Sequence, residues 1–262
     1  MQSVPPSVTL IVAATLNNGI GVSGRLPWRL SREMAYFANL TSFVPHSSPS
    51  SSSESADANA KMNAVIMGRK TWDGIPSKFR PLKNRINVVV SREYPSLLQE
   101  ENTPLVVKTN DIDTACAFPP NDVGSPLVYR RFLIGGAQLY EQALVRSTST
   151  KYQLDRILLT RIVEPAFEEC DVFLPEFRSS SQIAVEEASS DPLALPEPSM
   201  TGTDEGANWR RASHQELSDW AGFQVPEGVQ EEKGVKYIFQ MWVHKKVGMT
   251  VESTRDTYSN DV

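Results

Sequence analysis

Cysteine is scarce in this chain, with only Cys116 and Cys170 in 262 residues. Two cysteines cannot form a disulfide framework, and neither lies in a CxxC or Cys/His spacing that would hold zinc, so no metal is expected. A reducing compartment follows as the expectation. Long apolar runs are missing too. The longest, Val8–Thr15, falls far short of the roughly 20 residues that a membrane span needs. The opening MQSVPPS has no basic n-region of a secretion signal. A cytoplasmic protein without membrane contact is expected. Nor is there an excess of positive charge, since 26 Lys and Arg face 31 Asp and Glu, a formal net charge of −5. Without a broad basic field nucleic acid is not an expected partner, and an anionic ligand must be met by a few local cations.

What remains is globular. Hydrophobic residues make up 40% of the chain, and 14 glycines add to them, which places the apolar set in the ordinary range for a packed domain. Residues 47–55 read SSPSSSSES, and the stretch 45–61 holds too little apolar surface to offset the entropy of ordering it. A second stretch, 188–208, carries Pro192, Pro196 and Pro198 without periodicity. Both are expected to be flexible inserts, and 247–262 a tail, around a single domain with its core at about 8–246.

Short apolar runs bounded by turn residues cover Val8–Ala14, Ala64–Met67, Ile86–Val90, Leu105–Val107 and Phe132–Ile134. They read as strands buried on both faces, with helical stretches Ser31–Leu40, Lys70–Ile75 and Ala137–Leu144 between them. Such alternation implies an α/β fold, a mostly parallel central sheet with helices on both faces. The runs Arg156–Ile162 and Lys236–His244 alternate with period two. They suit a more exposed antiparallel pair ending in a C-terminal edge strand.

Four segments carry chemistry. After the first strand comes NNGIGVSGRLPW, Asn17 to Trp28, whose glycines suit a loop at a strand's carboxyl end, where α/β sheets bind ligands. An ordinary surface turn would read the same way. Next is Glu33, with Leu30, Met34 and Phe37 at helical spacings. A carboxyl on that apolar face has no basic partner one turn away, so desolvation should raise its proton affinity. It could equally be a capping-box partner or a solvated first-turn acid. Third, AVIMGRKTW, Ala64 to Trp72, runs from a strand through Gly68 into a helix start beside Arg69 and Lys70. Ser91-Arg92 and Lys108-Thr109 repeat the pattern of a cation beside a hydroxyl at strand ends, a cradle for the phosphates of an NADPH-type cofactor. Fourth, FLIGGAQLY, Phe132 to Tyr140, sets Gly135-Gly136 between strand and helix, where backbone can approach a pyrophosphate.

Together these stretches, with RPLKNRINVVVSR, LLTRI and KYIF, resemble the dihydrofolate reductase family of eukaryotic type. The resemblance spans most of Val8 to Lys245 except the two inserts. It implies a monomer that reduces 7,8-dihydrofolate to tetrahydrofolate with NADPH, hydride going to C6 and a proton to N5, and that antifolates bind. Carried over by residue, it implies Glu33 as the acid holding the pterin, Trp28 as the tryptophan ordering an active-site water, and Thr160 as the hydroxyl on the carboxylate. It implies substrate contacts at Ile11, Val12, Ala13, Leu26, Met34, Phe37, Ile75, Leu82, Ile134 and Tyr140, and Arg85 for the substrate's α-carboxylate. It implies cofactor contacts at Ala13, Ile20, Gly21, Gly68, Lys70, Thr71, Ile134, Gly135, Gly136, Ala137, Gln138, Leu139 and Tyr140, with Arg69, Ser91, Arg92 and Lys108 around the 2′-phosphate. The inserts and Phe79 depart from the family's short forms. A reductase of riboflavin biosynthesis and a silent NADPH- or folate-binding module are the competing readings. Glu33, Trp28 and Arg85 argue against the first, and Glu33, Trp28 and Thr160 against the second.

Overall fold

The computed structural model describes residues 4–45, 61–99, 105–118, 127–147, 149–188 and 207–245. The serine-rich insert, nearly all of the proline-containing one and the tail lie outside the described residues. In chain order the elements are β1 (Ser7–Thr15), β2 (Gly19–Gly21), α1 (Ser31–Ser42), β3 (Met62–Gly68), α2 (Arg69–Gly74), β4 (Arg85–Val90), β5 (Leu98–Gln99), β6 (Val106–Thr109) and α3 (Ile112–Ala117). They continue with β7 (Val128–Leu133), α4 (Ala137–Val145), β8 (Gln153–Glu164), β9 (Val172–Phe173), α5 (Ser180–Ala188), β10 (Trp209–Arg211), α6 (His214–Ala221), β11 (Gln230–Glu232) and β12 (Val235–His244).

One sheet of ten strands runs β10-β12-β8-β1-β7-β3-β4-β6-β5, with β11 on β12. From β8 to β6 every pairing is parallel. The carboxyl ends of these strands therefore lie along one edge. Antiparallel pairing begins at β12 on β8, as the alternating pattern of those two runs suggests.

The parallel strands are rich in apolar residues because helices cover both faces of the sheet,. Period two divides their residues. Leu10, Val12, Ala64, Ile66 and Leu159 join α3 and α4 residues such as Ile112, Leu139 and Ala143 in one cluster. Ile11, Val65, Met67, Leu158 and Ile162 join Tyr36 and Leu40 of α1 and Leu217 of α6 in the other. One expectation is overturned here: β8 and β12 are buried almost end to end rather than exposed. The cause is distant in sequence, since α6 covers one face of β12 and the short β10 and β11 pair alongside it.

Helix α6 starts on a capping box, Ser213 with Glu216, and ends at Gly222 in the left-handed region, φ 80°. A Cβ there would lie 2.4 Å from Phe43 Cε1, just beyond α1. Gly222→Ala is thus expected to lose about 1–3 kcal/mol, from a disfavoured φ and overpacking together. Urea unfolding measures it; an unchanged midpoint would remove Gly222 from the α1–α6 contact.

Candidate active site

The site lies on the α1 side of the sheet, where register places Ala13 of β1 and Phe239 of β12 on either side of Thr160 of β8. Glu33 projects from the first turn of α1 into this corner and is 8% exposed. Thr160 Oγ1 donates to Glu33 Oε1 at 3.1 Å. Leu30, with no capping side chain, stands at the helix N-cap, so neither the capping box nor the solvated-acid reading of Glu33 holds. Burial raises the Glu33 carboxyl from 4.5 to about 7. The Thr160 hydrogen bond lowers it more weakly, and the negative Glu232 adds a small upward push,. The result is a carboxyl that gives up its proton near pH 7 rather than in the usual acidic range.

The face of α1 turned inward is Glu33, Tyr36 and Leu40. The expected face, Leu30, Met34 and Phe37, is corrected at Met34, which is 49% exposed. Tyr36, three residues from Glu33 and so at helical spacing, takes the inward position instead. Its ring lies 4.0 Å from that of Phe239. Trp28 is buried and sits edge-on to Phe167, centroids 5.3 Å apart. Its Nε1–H has no acceptor among the described residues. Ala13, Phe37, Ile75, Leu82 and Ile134, with Trp72, are partly buried against the cluster that includes Trp28 and Tyr36, an apolar rim on the α1 side of the sheet. Leu26 is half exposed. Val12 does not belong to that rim: strand alternation turns its side chain into the opposite cluster.

Arg85, buried at the start of β4, donates from Nη1 to Thr41 Oγ1 at 2.6 Å and from Nε to the Lys83 carbonyl at 2.9 Å. Both bonds fix its fork beside the far end of α1.

Along the carboxyl edge two turns meet. Gly68 N–H donates to the Gly135 carbonyl at 2.8 Å, and Ile134 N–H to the Ile66 carbonyl at 2.9 Å. Gly135 has φ 127°, and a Cβ on it would approach Thr71 Oγ1 to 3.3 Å. Only glycine lets backbone run this close. Ala137 is partly buried, Gln138 and Lys70 are exposed, and Leu139 is buried under α4. Tyr140 is buried and its hydroxyl donates to the Ile11 carbonyl at 2.9 Å, which ties α4 to β1. One expectation is corrected here: Thr109 donates inward to Ser96 and offers no hydroxyl at the strand end. Ser91 N–H donates to the Thr109 carbonyl, which keeps the β4 and β6 ends together. Arg92 is exposed beside them, Arg69 pairs with Glu93 at 3.0 Å, and Lys108 lies 5.5 Å from the Tyr94 ring. The Arg69 pair is solvent-exposed and weak enough to open for a phosphate.

The glycine loop after β1 is held from a region the sequence did not flag. β2, with Ile20 and Gly21, pairs with β9. Leu174 N–H donates to the Asn18 carbonyl, and Asn18 Nδ2 to Glu176 at 3.0 Å. Buried Arg161 donates to the Thr15 carbonyl at 2.7 Å and Asn18 Oδ1 at 3.0 Å.

A buried acid beside a strand threonine, an apolar rim and a glycine-lined strand edge is the arrangement that comparison with known proteins can test. The family model for dihydrofolate reductase matches residues 57–193. A dihydrofolate reductase of Cryptococcus neoformans is 42% identical, covering 92% of this chain and 96% of its own length. The chain belongs to the dihydrofolate reductase family. A dihydrofolate reductase of Pneumocystis carinii is 37% identical over 90% of this chain and 96% of its own. The solved structure of Schistosoma mansoni dihydrofolate reductase superposes with TM-score 0.59 at 26% identity, over 92% of this chain and 99% of that one. As a member of the dihydrofolate reductase family the protein is an oxidoreductase. Among its described residues no three His, Cys, Asp or Glu side chains could hold a metal ion, and no helix is long and apolar enough to cross a membrane.

Because the folded carboxyl binds its proton more tightly than the unfolded one, stability is highest below about pH 4.5 as far as Glu33 is concerned, and falls as pH rises through about 7,. Glu33→Gln, which keeps an acceptor for Thr160, is therefore expected to be more stable than the native chain at pH 8, by up to about 3 kcal/mol. The difference should shrink to little at pH 5. Denaturant unfolding at both pH values tests this, and a gap that does not depend on pH would contradict it.

Proposed function

We propose that this reductase converts 7,8-dihydrofolate to tetrahydrofolate with NADPH, and that Glu33 governs the proton while the apolar rim holds the pterin. The observation that carries this reading is the buried Glu33 carboxyl, hydrogen-bonded to Thr160 and titrating at about 7. A protonated, oriented carboxyl suits a flat heterocycle that must gain a proton while it accepts a hydride.

When bound, NADPH supplies the hydride for C6. The chain's residues fit it. Gly68, Gly135 and Gly136 leave room for a pyrophosphate against backbone. Lys70, Arg69, Arg92 and Lys108 stand at neighbouring strand ends as cations for phosphates. Ala13 and the Ile20–Gly21 strand flank the path between that edge and Glu33. The buried Trp28 Nε1–H, without an acceptor among the described residues, would donate to a water or ligand in the site. The loop from Asn17 to Trp28 excludes bulk water, which protects the high proton affinity of Glu33. Arg85 takes the substrate's α-carboxylate with its planar fork, which Thr41 and Lys83 hold in place,. Antifolates that mimic the pterin would use the same corner.

The test is the loss of NADPH absorbance when dihydrofolate is added, run beside NADH and beside Glu33→Gln. A fast, NADPH-preferring loss is expected, and the variant should be slower by about 10²–10⁴-fold at neutral pH with NADPH binding retained. Near-native turnover in the variant would remove Glu33 from this role. Arg85→Ala is expected to raise the KM for dihydrofolate by about tenfold to a hundredfold, the scale of a charge-assisted hydrogen bond, with kcat little changed. An unaltered KM would refute the carboxylate assignment.

A further inference from the structure

Helix α1 has no cap from its own sequence, as Leu30 occupies the N-cap position without a side-chain hydrogen bond. First-turn amides left this way need partners from elsewhere. Ser31 N–H and Arg32 N–H donate to the two oxygens of the Glu232 carboxylate at 2.6 and 2.9 Å. Glu232 ends β11, and the chain turns into β12 through Lys233 and Gly234, with φ 53° and 74°, the signature of a tight two-residue hairpin. The hairpin grips the same helix end further. Lys233 Nζ donates to the Arg29 carbonyl at 3.2 Å, and the Arg32 guanidinium donates to the Glu231 carbonyl. Glu33 follows directly on Arg32, and Phe239 of the same hairpin's β12 is the register partner of Thr160. The hairpin thus contacts both the helix that carries the acid and the strand that carries its hydrogen-bond donor.

We propose that Glu232 is a positioning residue for the reduction, its carboxylate on the first turn of α1 holding the Glu33 carboxyl in register with Thr160. The proposal rests on the assignment of Glu33 as the acid. Its charge has a second effect, because a carboxylate near Glu33 favours the protonated form of Glu33,. The groups facing Glu33 are the Thr160 hydroxyl from β8, Tyr36 on α1, Glu232 from the hairpin and Tyr237 from β12. Those facing Glu232 are the two amides, Arg32, Lys233 and Tyr237.

Glu232→Gln keeps an acceptor oxygen for the amides and removes the charge. The first readout is a carbon-13 titration of the side-chain carboxyls in the protein without ligands, Glu33→Gln identifying the Glu33 signal. The Glu33 midpoint is expected to fall by about half a unit. Single-turnover NADPH oxidation with dihydrofolate should then slow roughly threefold at pH 8, and change little at pH 5.5, as half a unit requires. A merely structural contribution would slow the reaction alike at both pH values and leave the midpoint in place. Glu232→Asp keeps the charge and withdraws it by one methylene. It should retain the high midpoint while the Ser31 and Arg32 amides exchange faster with solvent deuterium. Native exchange rates at Ser31 and Arg32 in folded Glu232→Asp overturn the positioning, and an unmoved midpoint in folded Glu232→Gln overturns the charge effect. If the native chain does not oxidise NADPH with dihydrofolate, the functional reading fails on its own, and the titration and exchange comparisons still decide whether Glu232 holds Glu33.

Discussion

Keeping one carboxyl away from water shapes the whole α1 corner. Burial moves Glu33 from 4.5 to about 7, which costs on the order of 3 kcal/mol of stability once the pH exceeds that value. A single hydrogen bond from Thr160 returns little of this. The compensation lies in the packing that surrounds the acid: Tyr36 against Phe239, Trp28 against Phe167, and Phe223 edge-on to both Tyr36 and Phe43. The Tyr36–Phe239 pair lies on the inward face of α1 that Glu33 shares and beside Thr160, where it helps keep water from the carboxylate. The same apolar surface that drives folding thus raises the proton affinity of Glu33,.

Strand β8 links this corner to the glycine loop by the simplest property of a strand, the alternation of its side chains. Thr160 faces α1 and the acid, while the next residue, Arg161, faces the other way and binds Thr15 and Asn18 at the base of the loop. Burial lowers Arg161 only to about 10, so it stays cationic at neutral pH. Beyond Asn18 lies Glu176. Burial works against its charge, but the Arg178 guanidinium clasps it at both oxygens and holds it at about 2. Loop and acid are therefore referenced to adjacent residues of one strand, and a shift of β8 would disturb both.

How much of this the sequence reveals depends on how far apart the partners are. Continuous apolar runs such as Val8–Ala14 and Ile86–Val90 announce buried parallel strands because each carries the signal by itself. Gly135-Gly136 is legible for the same reason. The burial of β12 is not, because it comes from α6, β10 and β11, whose own patterns are short. Tyr36 and Met34 both satisfy a helical spacing from some neighbour, and only the packing against Phe239 separates them. Thr109 reads as ligand-facing from its position, yet the Ser96 carbonyl takes its hydroxyl, which no local pattern announces.

That difference in range also divides the site into two halves of unlike origin. The strand-end turns proposed to face NADPH, from Gly68 to Ala137, lie inside the stretch matched by the family model, 57–193. Glu33, Trp28 and the hairpin at Glu232 lie outside it, on segments that the Cryptococcus and Pneumocystis relatives do cover. The first half is built from strand, turn and helix in immediate succession, where backbone geometry alone creates the close approach. The second requires residues about two hundred positions apart to meet at the end of one helix, and it forms only when β12 has paired with β8. Substitution in the first half should act through the local fit of a cofactor. In the second it should act through the proton affinity and orientation of one carboxyl, because those are the quantities that long-range docking sets.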